Sequence, residues 1–117
     1  VIEGDGKDKL DFTYINDLIH GIEKVIEEKN SINQTFNITY GKGNEINSLI
    51  EILKSEFKNI NVINKKKDKL MPVRGKLSIE KAKRLINYEP KWDLEKGYIN
   101  YIKWYKDIFK KSENAFK

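Results

Sequence analysis

Arg74 is the residue best equipped to recognise a ligand. Its guanidinium carries a planar fork of donors that matches the oxygens of a diphosphate. It stands beside Gly75 in a polar stretch, after Pro72 and ahead of a helical pattern. Of the 23 basic residues only Arg74 and Arg84 are arginine. The others are lysines, densest in Asn64-Lys65-Lys66-Lys67-Asp68-Lys69. Such a run can draw in an anionic ligand or a nucleic acid, or it can be a solvated loop. No aromatics are interleaved with it to stack on bases, so a solvated loop is the expectation and nucleic acid is not an expected partner. Zero cysteines and one histidine, His20, leave this chain no thiolate nucleophile, disulfide, cysteine-zinc site or histidine-rich metal site. His20 itself falls early in a helix and reads as a solvent-facing or partly buried side chain.

The 117 residues fit one domain or a piece of a larger one. The composition, 38% hydrophobic and 35% charged, is that of a polar globular protein. No apolar run approaches the roughly 20 residues that span a bilayer, and no signal peptide opens the chain, so a cytoplasmic location without membrane attachment is expected. The net charge of +5 is spread among interleaved lysines and carboxylates and favours anionic partners in general. The chain opens on Val1, in what reads as a loop, and a fragment is expected.

The elements that must position Arg74 alternate between strand and helix. Residues 10–15 place Leu10, Phe12 and Tyr14 on one face at period two, a half-buried strand. Asn16-Asp17 supplies cap chemistry for a helix ending near Lys29, with Leu18, Ile22, Val25 and Ile26 at helical spacing. A short strand is expected over 35–39, with Phe36 and Ile38 inward. After a turn, Asn44 can cap a helix lined by Ile46, Leu49, Ile50, Leu53 and Phe57. Val62-Ile63 reads as a further short strand, and most of 64–75 as polar loop. Ser78 can cap a helix with Ile79, Ala82, Leu85 and Ile86 inside, stopped before Pro90. A last helix, from about 93 to 110, carries Leu94, Tyr98, Tyr101, Tyr105 and Ile108 on one stripe, widened by Ile102, Trp104 and Phe109. That stripe reads as core, and residues past Ser112 are expected to fray. The fold class is α/β, or α+β for an isolated piece. The strands look like the edge of a larger sheet, because a two-stranded sheet is marginal alone.

Four segments, in order, resemble the second half of an extended short-chain dehydrogenase/reductase. The first is Gly4-Asp5-Gly6 followed by Asp11-Phe12-Thr13-Tyr14-Ile15-Asn16-Asp17-Leu18, like the family's Gly-x-Gly turn and Arg-Asp-aromatic run. The second is Phe36-Asn37-Ile38 with its glycine-containing turn, and the third is Arg74-Gly75-Lys76-Leu77 with Lys81-Ala82. The fourth is Leu85-Ile86-Asn87-Tyr88-Glu89-Pro90, followed by Leu94-Glu95-Lys96-Gly97 and Trp104-Tyr105. Each motif is weak alone; their order and spacing carry the match, which is nearest to the UDP-glucose 4-epimerase-like group of NAD-dependent epimerases and dehydratases.

The resemblance implies the last strands of a Rossmann-type sheet plus the small helical C-terminal lobe that grips a nucleoside-diphosphate sugar. Residues 1–117 would form that single substrate-binding region, with NAD bound by an N-terminal Rossmann domain absent from this chain. The substrate-binding residues it implies are Arg74, Gly75, Lys76, Leu10, Asp11 and Phe12, with Arg74 on the diphosphate. Lys76 stands where relatives carry an acid and Leu10 where many carry an arginine. Lys76 could then serve as a second phosphate ligand, and Lys7 or Lys9 could partly replace the arginine. Asp11 and Asp17 read as strand-end and helix-cap groups. No three glycines have the dinucleotide spacing, and no tyrosine is followed four residues later by lysine, so catalytic residues are expected to be none in this chain. The missing half and the sugar nucleotide are the expected partners, with self-association through open strand edges possible. The alternative is a stand-alone basic module that binds nucleic acid or an acidic partner.

Overall fold

The structure is a computed structural model that describes residues 1–72 and 74–115, with side chains through Phe109. Val73, inside the polar stretch expected over 64–75, lies outside the described residues, as do the last two residues of the expected fraying tail. The elements in order are β1 (Ile2–Glu3), β2 (Lys9–Asp11), α1 (Ile15–Glu27), a 3-10 turn (Lys29–Ser31), β3 (Gly43–Glu45), α2 (Ile46–Glu56), β4 (Asn64–Lys65), α3 (Glu80–Ile86) and α4 (Leu94–Ala115). β1 pairs with β4 in parallel, Ile2 beside Asn64. β2 pairs with β3 antiparallel, with Leu10 opposite Asn44. The mixed class expected from the alternation therefore holds, as helices around two short strand pairs. Among the described residues no helix is long and apolar enough to cross a membrane.

The core forms where α3 meets the segment before it in space. Ile79, Ala82, Ile86 and Tyr88 are buried together, with Val25, Phe36, Ile38 and Leu85 packed against them. Complete burial of a side chain such as Ile86 stabilises by roughly 2 kcal/mol. α3 stops at Asn87, whose left-handed backbone (φ 53°) suits a short polar residue; Tyr88 then turns back, its hydroxyl donating to the Thr39 carbonyl at 3.0 Å. α2 packs on α4, each burying one isoleucine, Ile50 and Ile102. The Lys106 ammonium closes that contact on Glu56 at 2.9 Å and over the Phe57 ring at 4.7 Å.

Several local expectations change. β2 ends at Asp11 rather than continuing to residue 15. Tyr14 is the N-cap of α1, and Asp17 makes no cap bond, because its carboxylate is buried and accepts the N–H groups of Lys91 and Trp92. The inner face of α1 is Asp17, Gly21 and Val25, whereas Leu18, Ile22 and Ile26 are exposed. Residues 35–39 form no strand, although Phe36 and Ile38 do point inward. Side chains there take the place of a ladder: Asn37 donates to the Ser78 carbonyl, and the Tyr40 N–H donates to Thr13. Asn44 lies in β3, and Glu45 is the N-cap of α2. The strand read at Val62-Ile63 forms two residues later, as β4. α4 continues past Ser112 to Ala115. Its aromatic stripe is not core: Tyr101, Trp104, Tyr105, Ile108 and Phe109 are all exposed, and Ile102 is the residue that is buried.

Candidate functional site

β2 and the stretch after Pro72 face each other across an open groove of about 510 Å³. Leu10, Asp11 and Phe12 line one wall, and Arg74, Gly75, Lys76 and Leu77 line the other, with Thr39 between them. All six residues read from the sequence as substrate-binding are thus brought to one place from positions more than sixty apart in the chain.

Asp11 is the tie that builds the groove. Its carboxylate accepts the Gly41 N–H at 3.1 and 3.2 Å and the Leu77 N–H at 3.3 Å. One side chain therefore fixes β2, the turn ahead of β3 and the end of the Arg74 stretch relative to each other. Gly41 has φ +79°, and a Cβ there would press on Ile79 at 3.0 Å, so glycine is required. The strand-end reading of Asp11 fits this geometry. The Asp17 carboxylate, read as a helix cap, instead holds the chain between α3 and α4.

Arg74 and Lys76 are exposed, and a Cβ built on Gly75 meets no atom within 4 Å. Arg74 also borders a second cavity of about 260 Å³ with Glu3, Asp8 and Leu10. Neither Lys7 nor Lys9 lines the groove. Phe12 is shared with a third cavity, of about 280 Å³, walled by Tyr14, Leu49, Leu94, Tyr98 and Tyr101.

Two groove residues escape the sequence reading. Leu77 contributes its backbone N–H to Asp11. Thr39 lines the groove with its Oγ1 buried and, among the described residues, without a hydrogen-bond partner. Alternation from Phe36 and Ile38, both inward, would have turned Thr39 to the opposite side.

The lysine run is not a uniform cationic patch. Lys65 belongs to β4. The Lys67 ammonium is held by both oxygens of Asp8, at 2.5 and 2.6 Å, with its stem against Gly4. His20 is half-buried, 4.0 Å from the Glu23 carboxylate. Tyr88 has its hydroxyl pKa pushed up to about 12, chiefly by burial and secondarily by the nearby Asp17 and Asp11 carboxylates. Among the described residues no group of three metal-binding side chains occurs.

The glycines do not form a cradle for NAD. Gly4 and Gly6 turn after β1 with φ +84° and +76°, but a Cβ on Gly6 would fall 2.0 Å from the Asn47 side chain. Asn47 fills that concavity and donates to the Asp5 carbonyl at 3.1 Å. The Gly41 turn is filled by Ile79 in the same way. With their concavities filled, these glycine turns do not fit a dinucleotide.

No family model matches the chain. It is 31% identical over 111 residues to an uncharacterized UDP-glucose epimerase of Bacillus subtilis, YtcB, covering 92% of this chain and 34% of the relative. Its fold superposes with a TM-score of 0.81 on the UDP-glucose 4-epimerase of Thermotoga maritima solved with UDP-glucose, at 26% identity, covering 92% and 35% of the two chains. It superposes with a TM-score of 0.76 on the UDP-glucuronic acid 4-epimerase of Bacillus cereus solved with UDP-glucuronic acid and NAD, at 31% identity, covering 88% and 34%. The chain spans about one third of the length of the relatives it matches.

Proposed function

We propose that this chain is the C-terminal, substrate-binding third of a protein like the UDP-glucose 4-epimerases it is similar to. Its groove between β2 and the Arg74 stretch would receive the diphosphate of a UDP-sugar. The observation that carries this reading is the meeting of Arg74, Gly75 and Lys76 with Leu10, Asp11 and Phe12 around one open groove. Arg74 is exposed there, and its guanidinium fork matches two phosphate oxygens. Lys76 adds a second positive charge in place of an acid, and Gly75 keeps side-chain bulk away from the approaching ligand. Asp11 acts from behind, by holding the Leu77 N–H. NAD, and the residues that move hydride and proton, belong in this reading to sequence outside this chain, in a Rossmann domain, and the assembled protein works in the cytoplasm.

The relatives that support the substrate class are those solved with UDP-glucose and with UDP-glucuronic acid. The alternative of a stand-alone basic module is weakened at Lys67, which is paired with Asp8, while Lys65, Lys66 and Lys69 stay exposed. The test is a chimera in which this chain replaces the matching third of the B. subtilis relative. UDP-glucose is titrated against it by calorimetry, with and without Arg74→Ala. Loss of a charge-assisted contact of about 1.5–3 kcal/mol weakens binding roughly ten- to hundred-fold. Equal affinity in both proteins would falsify the role given to Arg74.

A further inference from the structure

One member of the lysine run is set apart from its neighbours. Lys65, Lys66 and Lys69 are exposed, whereas Lys67 is half-buried and pairs with Asp8 across 59 residues of chain. Its ammonium donates to both carboxylate oxygens, at 2.5 and 2.6 Å. Each end of the pair is anchored in backbone. The Lys67 stem lies along Gly4, where a Cβ would come within 3.6 Å of its Cδ. Gly4 is fastened to β4 in turn, its N–H donating to the Lys65 carbonyl at 2.8 Å. The Asp8 carbonyl accepts the Ile46 N–H at 3.2 Å, which ties Asp8 to the start of α2. Half-exposed ion pairs add little to stability; what this one changes is which cation Asp8 faces.

A second cation stands in the surroundings of that carboxylate. Asp8 and Arg74 line the same cavity of about 260 Å³, with Glu3, Leu10 and Met71 among its other walls. Arg74 also borders the open groove, and among the described residues it takes part in no ion pair. A guanidinium and a carboxylate that share a cavity with apolar walls attract one another through a medium that screens less than water. Arginine is also the better partner for a carboxylate, because its fork engages both oxygens. We propose that Lys67 is a positioning residue for Arg74: by occupying both oxygens of Asp8, it leaves the guanidinium to the groove rather than to the cavity that Asp8 lines. This rests on the reading of Arg74 as the ligand of the diphosphate. Of the two acids in that cavity Asp8 is the stronger competitor, because Glu3 is exposed and its charge is screened, while Asp8 is half-buried.

The first measurement needs no ligand and is made on this chain, so a chimera that fails to fold does not end the test. Lys67→Met keeps the stem on Gly4 and removes the ammonium. In that background Asp8 takes Arg74 as its partner, and Arg74→Ala should lower the thermal midpoint by roughly 2–4 °C. In the parent Arg74→Ala should leave the midpoint unchanged, and the difference should disappear when Asp8→Asn is added to Lys67→Met. The second measurement is UDP-glucose titration of the chimera with the B. subtilis relative at low salt. Lys67→Met should weaken binding about three- to five-fold, and Lys67→Met with Asp8→Asn should regain the parent affinity. Lys66→Met removes the same charge from an exposed neighbour and leaves Asp8 paired; its effect should stay below about two-fold. An equal loss in Lys66→Met and Lys67→Met overturns the proposal in favour of net charge. So does an effect of Arg74→Ala on the midpoint that is the same with and without the Lys67 ammonium. So does a Lys67→Met affinity equal to that of the parent when Glu3→Gln raises it, which makes Glu3 the competitor. Coupling of Arg74 to Asp8 in Lys67→Met, with UDP-glucose binding indifferent to Arg74, leaves the pairing and refutes the diphosphate site. Binding that depends on Arg74, without that coupling, refutes the positioning role alone.

Discussion

The Asp17 carboxylate accepts the backbone N–H of Trp92 at 2.9 Å, across 75 residues of chain. Its other oxygen takes the Lys91 N–H at 2.8 Å. The first turn of α1 is thereby locked to the connection between α3 and α4, and the carboxylate is only 2% exposed. Asp17→Ala leaves two N–H groups without an acceptor and is expected to cost about 3 kcal/mol. Asp17→Asn keeps one acceptor oxygen and should cost roughly half as much. Urea unfolding measures both, and an alanine variant within about 0.5 kcal/mol of the parent would contradict the tie.

Tyr88 makes stability depend on alkaline pH. In the unfolded chain its hydroxyl ionises near 10, and in the fold near 12, because burial disfavours the phenolate and Asp17 and Asp11 repel it. The raised value means that the fold prefers the neutral form. Its contribution is complete below pH 10 and is lost as pH rises from 10 through 12. Two pH units correspond to at most about 3 kcal/mol. Tyr88→Phe removes the bond to the Thr39 carbonyl and should cost about 1 kcal/mol at neutral pH. The gap between parent and variant should then close, and reverse, on titration past pH 11. A parallel loss of stability in both proteins would show that Tyr88 does not set the alkaline transition.

The groove was legible in the sequence because its residues carry signals that survive without coordinates. Arg74 and Gly75 are chemically distinctive, and Asp11-Phe12 sits in an ordered motif. The cores of α2 and α3 were legible for a different reason: Ile50, Ile79, Ala82 and Ile86 are apolar, periodic and buried. The orientation of α1 was not. Its inner face is a carboxylate, a glycine and one valine, so the hydrophobic period points at the wrong side, toward a surface that this chain does not cover. The same cause hides the aromatic stripe of α4. The strand expected over 35–39 does not form: the Thr39 carbonyl accepts the Tyr88 hydroxyl, and the next two backbone N–H groups, of Tyr40 and Gly41, donate to the Thr13 and Asp11 side chains, which no local pattern announces.

Gly21 separates helix propensity from packing. On an exposed helix, glycine to alanine stabilises by up to about 1 kcal/mol. In α1 the added Cβ would lie 2.2 Å from the Ile38 Cγ2 and 3.2 Å from the Tyr88 ring. Overpacking of this kind costs typically 1–3 kcal/mol, so Gly21→Ala should destabilise on balance, by about 1–2 kcal/mol. Combining it with Ile38→Ala, which removes the Cγ2 that the new methyl would meet, should cost less than the sum of the two single changes. A thermal midpoint that rises in Gly21→Ala would show that α1 does not approach Ile38 this closely.

Gly75 is the opposite case, a glycine that the fold of this chain does not demand. Its Cβ would meet nothing within 4 Å, and its backbone is not in the left-handed region. Gly75→Ala should therefore leave stability unchanged or raise it by roughly 0.5 kcal/mol, through the lower entropy of the unfolded chain. The empty space beside it is the space a diphosphate would enter between Arg74 and Lys76. A methyl group there should weaken UDP-glucose binding by the assembled chimera by about 1 kcal/mol, roughly five-fold. Leu10→Arg works from the facing wall: a guanidinium added across the groove should strengthen the same binding, more at low salt than at high. A five-fold loss in Gly75→Ala with an unchanged melting temperature, set against a salt-sensitive gain in Leu10→Arg, would place the ligand in the groove. Unchanged affinity in both variants would remove it from there.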